Sequence, residues 1–350
     1  MPAKKETENK GYTQLKADLR ENTVQNVYVF YGEETYLREY YLDQLRKKLI
    51  PAGFEEFNYH NLQGKNLTVQ ALSDIVEAFP MMCEKSLVTV TDFDLFKLNE
   101  DQRNQLIALF RDFPDYCCLV FVFDILEYKP DRKMKKLYTA LTDTAQIVEF
   151  KTQGQSDLIN WIARRFKAVG KEIDRQAAEH LIFTCGSLMT GLIPEIEKIA
   201  AYTKGPRVTI EDINAVADPV IDAMIYDITN EISRRNYDGA ADTLGKLLKM
   251  QEEPIVILAL IGKELRKLYT ACLAQEGGKD RYWLMDIWGM RSDYPAKLLL
   301  NSARNFSKEW CREGILLCQK LDIAMKSQPG FDSQGELKLL LMRLAQEVRR

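Results

Sequence analysis

No Gly-Lys-Ser or Gly-Lys-Thr occurs anywhere in the 350 residues. That absence excludes the usual phosphate loop, in which glycine N–H groups wrap a triphosphate and a lysine neutralises it. Histidine is scarce, with two residues, and the seven cysteines (83, 117, 118, 185, 272, 311 and 318) include no C-x-x-C spacing. Neither a structural zinc nor a disulfide framework is expected, and a reducing compartment fits. The segment Met1–Lys10 is charged and has no apolar signal core, and no apolar run is long enough to span a bilayer, so a cytoplasmic location is expected. Charge of one sign is also lacking. Net charge is -3; residues 218–350 carry 20 Lys and Arg against 19 Asp and Glu, and the rest of the chain 28 against 32. Neither part is a basic platform for nucleic acid, so any DNA contact must be local or shared with partners. An apolar fraction of 46% with 28% charged residues is that of a soluble globular chain long enough for two or three domains.

What is present begins with an α/β opening. Asn26–Tyr31 is an apolar run suited to a buried strand, Gly32 is a turn, and a helix follows with Leu37, Tyr41, Leu45 and Leu49 on one face. At its positive end, where phosphate would sit, stand Gly32, Glu33, Glu34 and Thr35. Two carboxylates there satisfy the helix dipole and repel a triphosphate. This degenerate nucleotide loop points to contact, not hydrolysis, and no cofactor or metal is expected.

Strands are predicted at Val27–Tyr31, Glu56–Tyr59, Ser86–Thr91, Cys118–Phe123 and Gln146–Phe150. Helices are predicted between them at Thr35–Leu49, Thr68–Phe79, Glu100–Phe110 and Arg132–Leu141. The alternation argues for a parallel sheet with helical cover over residues 23–150, after a polar tail and short helix (Tyr12–Glu21) in residues 1–22. Beyond it the strand signal stops. Ser156, Asp174 and Thr209 are candidate helix starts, which places a small helical domain at 151–217. From 218 to 350 the chain reads as helical. Ile221, Ile225, Ile228 and Ile232 form one stripe, and Leu258, Ile261, Leu265, Leu268 and Cys272 another after Pro254; Ser333–Glu336 has capping-box spacing.

Outside this core pattern, Pro80 stops the helix ending at Phe79 and is followed by Met81, Met82 and Cys83. From pattern alone these methionines plug the core beneath Leu87 or stand free as an adaptable contact. Asp124 reads as a turn or cap residue. Lys129, Arg132, Lys133, Lys135 and Lys136 read as a solvated face. Cys117 and Cys118 read as two half-buried thiols on opposite strand faces, and His60 and His180 as structural. Trp283, Trp288 and Trp310 add apolar surface beyond what one bundle core requires, and Phe331, in Ser327–Phe331, is expected to be an exposed aromatic.

Four stretches, Val27–Leu37, Ala78–Lys85, Gly191–Leu192 with Glu195–Ala200, and Glu253–Leu258, resemble in their order and spacing the delta-subunit family of the bacterial DNA polymerase III clamp loader, over roughly residues 20–348. The resemblance implies an AAA+-like α/β domain with a degenerate phosphate loop, a small helical lid and an all-α C-terminal collar domain. It implies a subunit that binds the sliding clamp and opens it for loading onto primed DNA without hydrolysing ATP itself. Its partners would be the clamp, the ATPase loader subunits (gamma/tau), delta prime and primed DNA, with no membrane. In that family a hydrophobic pair enters a pocket on the clamp, and its place here falls on Met81 and Met82, flanked by Phe79 and Pro80. The collar would cover the spare apolar surface, and Phe331 would be a possible DNA contact. Catalytic loader subunits are a poorer match. The strand at Val88–Thr91 ends in Asp92-Phe93 without an Asp-Glu pair, and neither a Ser-Arg-Cys arginine-finger motif nor a four-cysteine zinc site is present. A divergent AAA+ ATPase, or a DNA-binding adaptor or scaffold, remains the alternative.

Overall fold

The computed structural model describes residues 9–347; the polar tail expected over the first residues lies outside them except for its end. The chain forms two compact units, residues up to Thr152 and residues from Gln153 onward.

In the first unit, helix α1 (Lys10–Glu21) precedes strand β1 (Val27–Tyr31), helix α2 (Thr35–Leu49), the short helix α3 (Glu55–Asn58) and strand β2 (Tyr59–Gln63). Then come α4 (Val69–Val76), β3 (Ser86–Thr91), α5 (Glu100–Arg111), β4 (Cys117–Val122), α6 (Lys135–Thr144) and β5 (Ala145–Glu149). The five strands are all parallel, in the order β2-β3-β4-β1-β5. Val27, Tyr28, Val29 and Phe30 of β1 are fully buried between two neighbours, each side chain worth about 1.5–3 kcal/mol of burial. Such continuous apolar strands are what a parallel sheet covered on both faces demands. Asn9 caps α1 by accepting from Tyr12 N and donates to the Glu149 carbonyl, which seats this helix along β5.

Several predicted elements shift, β4 and β5 by a single residue toward the N-terminus. Glu56–Tyr59 is not a strand: Glu55–Asn58 turn as a helix, and the strand follows at Tyr59–Gln63. The helix predicted to reach Phe79 stops at Val76, with Glu77 as its C-cap. The sixth helix begins at Lys135, not Arg132. Cys117 and Cys118 are both fully buried in β4, which pushes the Cys117 thiol up to about 11 and Cys118 in the same direction.

Among its described residues the second unit carries eleven helices, α7 (Gln155–Ala168), α8 (Arg175–Cys185), α9 (Met189–Tyr202), α10 (Ile210–Val216), α11 (Ile221–Ser233), α12 (Tyr237–Lys249), α13 (Pro254–Glu276), α14 (Arg281–Trp288), α15 (Asp293–Ala303), α16 (Lys308–Ser327) and α17 (Ser333–Glu347), with a two-residue parallel bridge between β6 (Glu172–Ile173) and β7 (Arg207–Val208). Asp174 caps α8 and Thr209 forms a capping box with Asp212. Ser156 lies inside the first turn of α7, whose cap is Gly154, and the last helix is capped by Asp332, which accepts from Gly335 N, so Ser333 is already helical. Ile225, Ile228 and Ile232 and the whole stripe from Leu258 to Cys272 are buried in one cluster. His180 bridges Tyr294 OH (3.0 Å) and Asn214 Oδ1 (2.6 Å), joining α8, α10 and α15. Trp310 is buried, stacks on Phe306 and donates to the Leu344 carbonyl at 3.0 Å; Trp283 and Trp288 are half-buried against the same cluster.

Candidate functional site

The segment between α4 and β3, residues 77–85, has no regular structure and carries three large exposed apolar side chains. Phe79 is 79% exposed, Met81 55% and Met82 85%. Three methionine and phenylalanine side chains in four residues, offered to water, are an exposed patch that asks for a partner. The reading in which Met81 and Met82 plug the core beneath Leu87 is therefore not what the fold shows. Phe79, expected as the last residue of its helix, lies beyond the helix end and is turned outward, its ring stacked on Tyr116 with centroids 4.7 Å apart. Tyr116 OH donates to the Glu77 carbonyl at 3.0 Å, tying the start of the loop to the β4 side of the sheet. Pro80 is half-buried.

The loop is not slack. Asn58, the last residue of α3, has no exposed surface. Its Oδ1 accepts from Met81 N at 2.7 Å, and its Nδ2 faces Met81 O (3.0 Å), Phe54 O (3.0 Å) and Cys83 Sγ (3.3 Å). Met82, between the two residues so held, adopts a left-handed backbone with φ 55°. Unbranched side chains tolerate that region at a modest cost. The result is a fixed main chain with two adaptable thioether side chains pointing away from it.

At the opposite end of the strands, where open α/β sheets bind their ligands, the space is filled. Gly32 follows β1 with φ 123°, and a Cβ placed on it would lie 2.4 Å from the Phe150 carbonyl oxygen. The turn is sealed there by hydrogen bonds from Phe150 N to Tyr31 O (2.7 Å) and from Glu34 N to Phe150 O (3.0 Å). A backbone N–H at the start of α2 that could face phosphate is thus spent on β5's own exit. Glu34 is the N-cap of α2 and fully buried, Glu33 is exposed, and Thr35 opens the helix. Next to them, buried Arg38 of α2 donates to the Phe123 carbonyl at 2.9 Å and pairs with Asp124, so Asp124 is an ion-pair partner and not merely a turn residue. Asp92, after β3, turns its carboxylate onto the N–H groups of Asp124 (2.9 Å), Ile125 (3.1 Å) and Leu126 (3.0 Å). A carboxylate thus occupies the ring of N–H donors that an anion would otherwise seek.

The remaining candidates scatter. Arg132, Lys133, Lys135 and Lys136 are exposed and Lys129 pairs with Glu127, as a solvated face would be. Phe331 is half-buried against the second unit's core, not the exposed ring expected. Among the described residues no group of His, Cys, Asp and Glu could hold a metal ion, all seven cysteines are free thiols, and no helix is long and apolar enough to cross a membrane.

Residues 28–151 match the family model of the DNA polymerase III delta subunit, and residues 222–344 match the model of that subunit's C-terminal domain. The chain belongs to the DNA polymerase III delta-subunit family. The DNA polymerase III subunit delta of Bacillus subtilis is 28% identical over 93% of this chain and 94% of its own length. That of Escherichia coli is 21% identical over 95% and 94%. A solved structure of the Bacillus subtilis DNA clamp loader delta protein is similar with a TM-score of 0.51 and 24% identity, covering 95% of this chain and 99% of that one, a likeness of fold. The parallel five-stranded domain and the helical C-terminal region are thus the two parts that these family models cover. Two organising residues of this delta-family chain, Asn58 and Arg38, gave no signal in sequence, because each acts on a partner 23 or more positions away.

Proposed function

We propose that this delta-family chain is a clamp-loader subunit that binds the sliding clamp through Met81 and Met82, with Phe79 and Pro80 beside them, and opens it for loading onto primed DNA. ATP is bound and hydrolysed by neighbouring loader subunits (gamma/tau) alongside delta prime, in the cytoplasm, while residues 151–217 act as a lid and 218–350 as a collar. The observation that supports this reading best is the outward pair Met81 and Met82 on an immobilised main chain. An anchor for a transient interface needs apolar area at low ordering cost, and a side chain that reshapes itself in a pocket it must also leave. The filled strand ends around Gly32, Arg38 and Asp92 support the second half, since a triphosphate would have to break each of these contacts.

Burying most of two methionine side chains supplies on the order of 3–6 kcal/mol before ordering costs. Met81→Ala with Met82→Ala, both exposed positions, should therefore leave the fold intact and weaken binding to the sliding clamp of the same organism at least tenfold in calorimetric titration. Unchanged binding would remove the pair from the account.

A further inference from the structure

We propose that Asn58 is the positioning residue of this loop: one buried side-chain amide fixes the main chain on both sides of Met82 and so holds Met81 and Met82 in the conformation that a partner's pocket meets. The inference rests on the reading of the two methionines as anchors.

Residues 77–85 belong to no ladder or helix. A segment of this kind carrying apolar side chains would fold them back onto the nearest apolar surface unless its backbone were held elsewhere. The Asn58 amide does the holding. Its oxygen takes the Met81 N–H (2.7 Å) and its nitrogen serves the Met81 carbonyl (3.0 Å), so both polar groups of one loop residue are satisfied as a neighbouring strand would satisfy them. The same nitrogen reaches Cys83 Sγ at 3.3 Å and Phe54 O at 3.0 Å. Met82 lies between the two tethered residues, in the left-handed conformation, and is the more exposed of the pair.

The chemistry selects the residue. The Met81 N–H requires an acceptor and the Met81 carbonyl a donor, at one point, inside the protein. Only a carboxamide supplies both from one planar group, and glutamine would place it one methylene too far. Asp keeps the acceptor and loses the donors; Ala loses both. Because Asn58 is buried and makes no outward contact, it acts on a partner only through Met81 and Met82.

The test uses the full chain and the sliding clamp of the same organism. In the native protein, hydrogen exchange followed by mass spectrometry should find the Met81 amide protected although it lies in a loop. Asn58→Ala should speed its exchange at least tenfold without changing the β3 amides, and should weaken clamp binding at least fivefold; Asn58→Asp should fall between. In the Met81→Ala, Met82→Ala background, Asn58→Ala should change clamp affinity less than twofold, an effect that general destabilisation would not produce. An unprotected Met81 amide in the native protein, native-like clamp binding by either Asn58 variant, or equal weakening in both backgrounds would overturn the proposal. Should Asn58→Ala not fold, the native exchange measurement and Asn58→Asp decide. Clamp binding that ignores the methionines altogether would instead defeat the anchor reading, which the exchange data keep distinct from Asn58's hold on the loop.

Discussion

Replacing Gly32 by Ala asks directly whether the nucleotide end of the sheet is closed. The new methyl carbon would stand 2.4 Å from the Phe150 carbonyl oxygen and 2.7 Å from its nitrogen, and neither can swing aside as a side-chain tip could. At φ 123° the substitution also places a side chain in a backbone region reserved for glycine, at about 1–3 kcal/mol. Crowding of a packed site adds roughly 1–3 kcal/mol, so the total is about 2–6 kcal/mol. For a unit of this size that lowers the melting temperature by roughly 5–15 °C. Gly53→Ala is the control: its φ is 91°, but nothing lies within 4 Å of the added carbon, so only the conformational part applies. Opening of the first unit can be read from pulsed thiol labelling of Cys117 and Cys118, which are fully buried in β4 beside β1. If Gly32→Ala is no less stable than Gly53→Ala, the turn is not seated on Phe150 and the strand end is not closed. Nor is it closed if ATP with magnesium raises the melting temperature of the native chain, since a ligand at 100 times its Kd would add about 2.7 kcal/mol; no shift is expected.

Arg38→Met keeps the buried stem and removes the bonds to the Phe123 carbonyl and Asp124. Because the Asp124 side chain is half-exposed and can be rehydrated, the cost should be about 1–3 kcal/mol, again read by Cys117 and Cys118 labelling. Adding Asp124→Asn should cost less than it does alone, and full additivity would show that the pair is not coupled. In the second unit, burial raises the Glu264 carboxyl above its usual value, against the pull of the Lys267 ammonium at 3.0 Å. The folded state therefore binds this proton more tightly than the unfolded state, and the contribution to stability is greatest on the acid side and is lost as pH climbs from about 4.5 through the raised value. Glu264→Gln should flatten that fall in urea melts followed by tryptophan fluorescence, all four tryptophans (161, 283, 288 and 310) lying in this unit. An unaltered pH slope would refute it.

The buried strands β1 and β3 and the helix α2 lie where periodicity puts them, while β4 and β5 begin one residue earlier than expected. The edge strand β2 was not legible, because Tyr59-His60-Asn61-Leu62-Gln63 is half polar and has one neighbour, while Phe57 and Tyr59 mimic strand alternation just ahead of it. The early end of α4 follows from Pro80, which disfavours helix at Phe79; the sequence marks the stop but not that it falls at Val76. The Met pair was legible as a candidate only through family resemblance, since two methionines before a strand suit a core equally well. Asn58 was illegible, because its role is made by a contact across 23 residues, and the same holds for Arg38 and Asp124 across 86.

All five strands of the first unit run the same way, so the loop that enters β3 and the sealed turn that leaves β1 lie at opposite ends of the sheet. Five or six residues of strand separate them, roughly 16–20 Å. A pull on Met81 and Met82 directed outward from that end runs along the axis of β3, which is paired on one side to β2 and on the other to β4. The two ladders then bear the load in shear, all their rungs together, instead of unzipping one rung at a time. In the proposed reading, the placement would set the methionines as a grip at the end of a tension member.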